Sequence, residues 1–147
     1  MKTRNNILAL VLFAIVALLG ACFVTGCASL TSFLQSPTGR IVEKLALNAA
    51  MTYAGGGNLD KSWAISEGLF AISGSIPLGE PGAKVIQQAA IDYAGTNDVN
   101  TRKLAGDLAN AWKAANPTTP ATAKETALSL AHGVNSANVK AAGQRHD

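Results

Sequence analysis

The chain has 147 residues, the length of one domain, and only 14% of them are charged. Soluble domains average about 25% charged residues, so the composition points to a membrane-related segment. The 12 Lys and Arg residues lack the clustering that a nucleic-acid binder needs. Two Cys and two His cannot form a structural zinc site of the usual kind unless all four converge. We therefore expect no nucleic-acid partner, metal or cofactor.

The N-terminal segment has the layout of an export signal. Lys2 and Arg4 precede an apolar run from Ile7 to Val24. A short basic stretch followed by an apolar run is typical of secretory signal peptides. Positive charge stays on the cytoplasmic side, so this layout predicts that the rest of the chain is exported.

A short motif closes the apolar run. Residues 24–29 read Val-Thr-Gly-Cys-Ala-Ser. This motif resembles the lipobox of bacterial lipoproteins, in which a branched apolar residue and two small residues precede a Cys. The resemblance covers about the first 29 residues. It implies that a signal peptide, residues 1–26, is removed and that the Cys27 thiol receives a diacylglycerol. Ala28 after that Cys, where an Asp would retain the protein in the inner membrane, implies an outer-membrane anchor facing the periplasm.

Two alternatives remain open for the anchor. Cys22 follows Leu-Gly-Ala and also fits the lipobox pattern. The apolar run of 18 residues is also just long enough for an uncleaved transmembrane helix. With Cys27 as the anchor, residues 27–36 form the lipidated Cys and a tether, residues 37–142 a helical domain, and residues 143–147 a disordered tail.

The domain sequence predicts helices and no sheet, because apolar residues recur at helical spacing and sustained alternation is absent. Ser36 and Pro37 suit the start of the first helix, and three glycines, Gly55 to Gly57, suit its end. The second predicted helix begins at Asn58 or Asp60 and ends at about Ser73, and the third runs from about Gly82 to Ala94, where Gly95 ends it. The fourth begins near Asn97 or Asn100 and ends before the break at residues 116–120. The last runs from about Thr122 to Val134, and its continuation to Ala142 is left open. The expected fold is an all-α bundle of about five helices.

The first and third helices resemble each other in sequence. Residues 43–55 align with residues 83–95, and six of the 13 pairs are identical, including Tyr-Ala-Gly at the end. We therefore expect two duplicated helical hairpins plus a C-terminal helix. A two-helix solenoid is the alternative, but solenoids usually need three or more repeats to bury their faces. A duplication predicts that Tyr53 and Tyr93 are equivalent, and that Gly55 and Gly95 end equivalent helices.

The C-terminal third contains few large apolar residues: Leu128, Leu130, Val134 and Val139. This shortage predicts that the last helix is less stable than the others or depends on a partner.

No pattern of catalytic residues emerges, and we expect no enzyme. Residues 55–62 superficially resemble a phosphate-binding loop, but Asp60 replaces a required Gly, so a glycine stop before a new helix is the better interpretation. Neither His132 nor His146 has ligand partners at a suitable spacing, and His132 is expected on a solvated face. The carboxylates expected on solvated helix faces are Glu43, Glu67, Asp92 and Asp107.

The aromatic residues are expected to serve packing. Tyr53 and Tyr93 should pack at helix ends with their hydroxyls in water. Trp63 and Trp112 should pack between helices, and an exposed groove for a partner helix is the alternative.

The leading hypothesis for the function of the protein is a non-enzymatic interaction or scaffold module that binds another envelope protein or its own copies. A carrier of a small ligand or lipid, with a pocket between helices, is the alternative, and a cell-wall hydrolase ranks third.

Overall fold

The computed structural model describes residues 31–144. The expected signal peptide, both cysteines, His146 and most of the predicted tail lie outside these residues. The chain divides into two units, Met1–Ser32 and Phe33–Asp147. The second unit is all-α, as predicted, and within residues 31–144 no strand forms. Its five helices are α1 (Pro37–Tyr53), α2 (Leu59–Ile72), α3 (Gly79–Ala94), α4 (Val99–Ala115) and α5 (Pro120–Gly143).

Side-chain caps fix three of the helix starts. Ser36 accepts a hydrogen bond from the Gly39 backbone N–H at 3.1 Å, which confirms the predicted start of α1. The cap of α4 is Asp98, which accepts from the Thr101 backbone N–H at 2.8 Å and lies between Asn97 and Asn100, near which this helix was expected to start. Thr119 caps α5, one residue before Pro120.

A wide turn joins α1 to α2. Residues Ala54–Asn58 form a π-helical turn, and Gly57 has the left-handed backbone, with φ of 93°. Gly95 ends α3 in a left-handed conformation, with φ of 65°. Gly57 and Gly95 therefore share this role, and the prediction that Gly55 matches Gly95 was wrong.

α5 lies between α1 and α2, which hardly touch each other. Glu43 in α1 pairs with His132, and Ala54 after α1 packs against Ala141, so α1 runs parallel to α5. In α2, Ser62 donates to the Asn138 side chain at 2.5 Å and Leu59 packs near Ala141, so α2 runs antiparallel to α5.

α3 and α4, in contrast, pack directly against each other. Trp112 is fully buried in this pair, and its Nε1 donates to the Gly79 carbonyl at 3.1 Å. Lys113 pairs with Glu80 at 3.1 Å. Since α1 and α2 enclose a third helix and α3 and α4 do not, the structure does not support an internal duplication of one hairpin.

The longest helix, α5, has an extensively buried surface. Its buried residues are mostly small: Ala123, Thr126, Ala127, Ser129, Leu130, Ala131, Gly133, Val134, Ala137, Asn138 and Ala141. Small residues let helix backbones approach closely. A Cβ on Gly133 would lie 2.6 Å from the Glu43 carbonyl oxygen of α1. The shortage of large apolar residues in this segment therefore does not make α5 peripheral, and the expected lower stability or partner dependence of this segment stays a prediction.

No helix within residues 31–144 has the length and apolar character needed to cross a membrane.

Candidate binding groove between α1 and α4

The residues that the sequence suggested for possible chemistry do not form one site in the structure. Glu67 and Asp92 are exposed, as predicted. His132 is half-exposed, but its Nδ1 lies 2.9 Å from Glu43 Oε1, so this pair bridges α1 and α5 and is not simply solvated. Asp107 lines a surface groove. Within the described part of the chain, no group of three or more His, Cys, Asp or Glu side chains is placed to hold a metal.

An open groove of about 520 Å³ lies at the surface where α1 and α4 meet. A smaller pocket of about 150 Å³ continues it toward the α1–α2 turn, and the two share four lining residues. We call this continuous surface the α1–α4 groove. Its lining residues are Leu45, Asn48, Ala49, Thr52, Tyr53, Gly56, Asn58, Asn100, Lys103, Leu104, Asp107, Asn110, Ala111 and Ala114.

Helical spacing explains why polar side chains line both walls. Asn48 and Thr52 on α1 are four residues apart, so both face the same side of the helix. On α4, intervals of three and four residues place Asn100, Lys103, Asp107 and Asn110 on one face. Two polar rows therefore face each other across the groove.

An ion pair occupies the α4 wall. Lys103 Nζ donates to Asp107 Oδ2 at 2.8 Å. These are the charged side chains that line the groove, and they neutralise each other. The groove therefore carries no excess charge to attract an anion or a cation.

Three carboxamides in the groove are free to bind a ligand. Asn48, Asn100 and Asn110 are exposed, and residues 31–144 offer their side-chain amides no hydrogen-bond partner. Each carboxamide offers one acceptor oxygen and a two-hydrogen donor. Asn58 differs, because its Nδ2 donates to the Tyr53 carbonyl at 3.4 Å. The groove thus presents neutral hydrogen-bonding groups on both walls.

The floor of the groove is made of small apolar residues. Ala49, Ala111 and Ala114 contribute to the larger part, and Leu45 lies at one end. Leu45 is 44% exposed, and Ile41, one turn earlier on the same helix, is 57% exposed. An apolar strip therefore continues along α1 beyond the groove.

A buried hydrogen bond closes the other end. The Tyr53 hydroxyl lies 2.8 Å from Thr101 Oγ1, and both residues are buried. Burial raises the pKa of the Tyr53 phenol above its ordinary value of 10.0, so the hydroxyl keeps its proton at neutral pH. The expectation that this hydroxyl reaches water was wrong, whereas Tyr93 is 44% exposed, as expected.

The α4 cap stands beside this closed end. The Thr101 backbone N–H, bonded to the Asp98 carboxylate, holds the pKa of that carboxyl below its ordinary value of 3.8. Lys61 from α2 approaches Asp98 at 3.7 Å. These contacts fix the first turn of α4 and therefore the position of its groove-lining face.

Helical spacing alone places Asn48 and Thr52 on a polar face of the first helix, and nothing in that pattern distinguishes this face from an ordinary solvated surface. What distinguishes a polar groove from a solvated surface is a long-range contact, because α4 must present a second polar row opposite α1.

The two tryptophans pack as expected. Trp112 is buried, and Trp63 is half-buried beside Ala54 and Leu59.

Comparison with known proteins yields no relative: no family model, curated protein or solved structure matches the chain.

Proposed function

We propose that this protein is a lipid-anchored component of the bacterial cell envelope, and that its helical domain binds a partner protein through the α1–α4 groove without catalysing a reaction. One observation carries the binding proposal: an open groove presents carboxamides on both walls that no side chain of the described residues engages. Polar groups in such a position are available to a ligand.

The lipobox-like residues 24–29 support the anchor. A diacylglycerol on Cys27, with acylation of its amine as in that family, would give stable membrane attachment, since one chain alone binds membranes weakly. The tether leads into Ser36, at the start of α1. The groove itself runs along the side of α1.

Metabolic labelling with a fatty acid tests the anchor. We expect Cys27→Ser to abolish labelling, because Ser lacks the thiol that receives the lipid. Cys22→Ser is the matched control and should keep the label. Labelling that is lost only in Cys22→Ser would move the anchor to Cys22. Labelling lost in neither variant would contradict the assignment to one of these cysteines, and an unsubstituted protein that takes up no label would contradict lipidation.

Photo-crosslinking in living cells tests the groove. A photoreactive residue at Leu45, which lines the groove and is exposed, should form a discrete protein adduct, whereas one at Gln87, exposed on α3, should not. Ala114→Arg, which fills the groove, should remove the adduct. Ala71→Arg is the matched control, because Ala71 is also exposed but lies on α2. An adduct that survives Ala114→Arg would contradict the proposal, and so would a groove that crosslinks to no protein.

A further inference from the structure

We infer that the α1–α4 groove binds an extended peptide segment of its partner and recognises the peptide backbone through the groove's carboxamides. This inference rests on the proposed function and adds the chemical class and conformation of the ligand. The groove's hydrogen-bonding chemistry, its spacing and its neutrality each support it.

The hydrogen-bonding groups of the groove match those of a peptide. A backbone amide presents one N–H donor and one C=O acceptor, and a carboxamide presents the complementary acceptor and donor. Asn48 on α1 and Asn110 on α4 both line the larger part of the groove. An extended segment directs successive backbone groups to opposite sides, so it could engage both walls at once.

The spacing of the groups also fits an extended chain. Asn48 and Thr52 are separated by about 6 Å along α1, at 1.5 Å per residue. Two residues of an extended chain span about 6.7 Å. Asn100 and Asn110 are about 15 Å apart along α4, which matches about five extended residues.

The charge and the floor of the groove narrow the ligand further. Lys103 and Asp107 neutralise each other, so the groove has no net charge that would attract a charged ligand. Tyr53, the aromatic residue of the lining, is only 4% exposed and offers no ring face for stacking a sugar. Ala49, Ala111 and Ala114 leave shallow space where small apolar side chains at alternate peptide positions could rest.

The binding test uses the full lipidated chain in detergent micelles, observed by NMR of its side-chain amide signals. The first probe is a pool of short peptides that alternate Val or Ala with Thr or Ser. We expect it to shift the carboxamide signals of Asn48, Asn100 and Asn110. The same pool N-methylated at alternate backbone nitrogens should bind at least about tenfold more weakly, because it loses donors. A helix-forming pool of Ala, Leu, Glu and Lys should not bind.

Matched variants show whether the peptide binds in the groove or elsewhere on the surface. Asn48→Ala combined with Asn110→Ala should weaken binding at least about tenfold. Asn97→Ala combined with Asn135→Ala, which lie outside the groove, should leave binding unchanged. Equal binding of the methylated pool, binding by the helical pool alone, or no binding by any pool would overturn the inference. If these results occur while the Leu45 adduct still disappears in Ala114→Arg, the peptide inference fails and the proposed function stands.

Discussion

α1 makes two interfaces of opposite character. Toward α5, the backbones approach so closely that a Cβ on Gly133 would meet the Glu43 carbonyl oxygen at 2.6 Å and the Ala46 Cβ at 2.8 Å. Toward α4, polar side chains such as Asn48 and Asp107 line an open groove. Close packing of small residues makes one side of α1 a rigid support, and this rigidity holds the polar side in a fixed position for binding.

The largest expected effect comes from breaking the tight interface. Gly133→Ala should lower the free energy of unfolding by about 1–3 kcal/mol, because backbone atoms of α1 must move to admit the methyl group. Chemical unfolding followed by far-UV circular dichroism measures this. The matched control is Gly106→Ala in α4, where an added Cβ has nothing within 4 Å. That substitution should raise stability by about 0.5–1 kcal/mol. Equal changes in the free energy of unfolding for Gly133→Ala and Gly106→Ala would contradict the tight packing of α5 against α1.

A smaller loss of stability is expected at the end of the groove that Tyr53 and Thr101 close. Tyr53→Phe removes the hydrogen bond to Thr101 and should lower the free energy of unfolding by about 1 kcal/mol. Tyr93→Phe is the control: its ring is 44% exposed, and the change should stay within about 0.5 kcal/mol. Comparable losses in both variants would show that burial of the Tyr53 hydroxyl does not matter.

Acid should weaken the cap that positions α4. The folded protein lowers the pKa of Asp98 below 3.8, so the carboxylate stabilises the fold above that pH. This stabilisation is lost as pH falls through the lowered folded-state pKa. Asp98→Asn keeps a capping side chain but cannot titrate, so its stability should fall less between pH 5 and pH 2 (values chosen to bracket the transition). Parallel pH profiles for the two proteins would count against this assignment.

The smallest effect on stability is expected within the groove. Asn110→Ala should change the free energy of unfolding by no more than about 0.5 kcal/mol, because its carboxamide is exposed and lacks a partner among the described residues. Thermal unfolding measures this. A large loss of stability would mean that Asn110 supports the fold, and its role in binding would have to be reconsidered.

The sequence predicted the helices well where local signals operate. Ser36 with Pro37, Gly95 and the break at Asn116–Pro120 act within one or two turns, so they could be identified without tertiary information. The start of α4 was less clear, because Asn97, Asp98 and Asn100 are all capable caps. Only the hydrogen bond from Thr101 distinguishes Asp98.

Tertiary features could not be predicted from periodicity. Gly133 weakens a helix in isolation, yet α5 continues through it because α1 requires a residue without a side chain there. The insertion of α5 between α1 and α2 likewise depends on contacts far apart in sequence, such as Ser62 with Asn138. The groove follows from that arrangement, and its polar residues looked like solvated positions when each helix was considered alone.

Thiol accessibility in intact cells tests the central claim most directly. With Cys27 lipidated and Cys22 removed, a mature chain carrying Ala114→Cys has one free thiol, and so does the control with Gln87→Cys. Ala114 is exposed and lines the groove, and its replacement leaves the carboxamides in place. We predict that alkylation at residue 114 is slow in the envelope and fast in the purified protein, because a partner covers the groove only in cells. Alkylation at residue 87 should be fast in both. Equal and rapid alkylation at residue 114 in both settings would contradict the proposal that a partner occupies the α1–α4 groove.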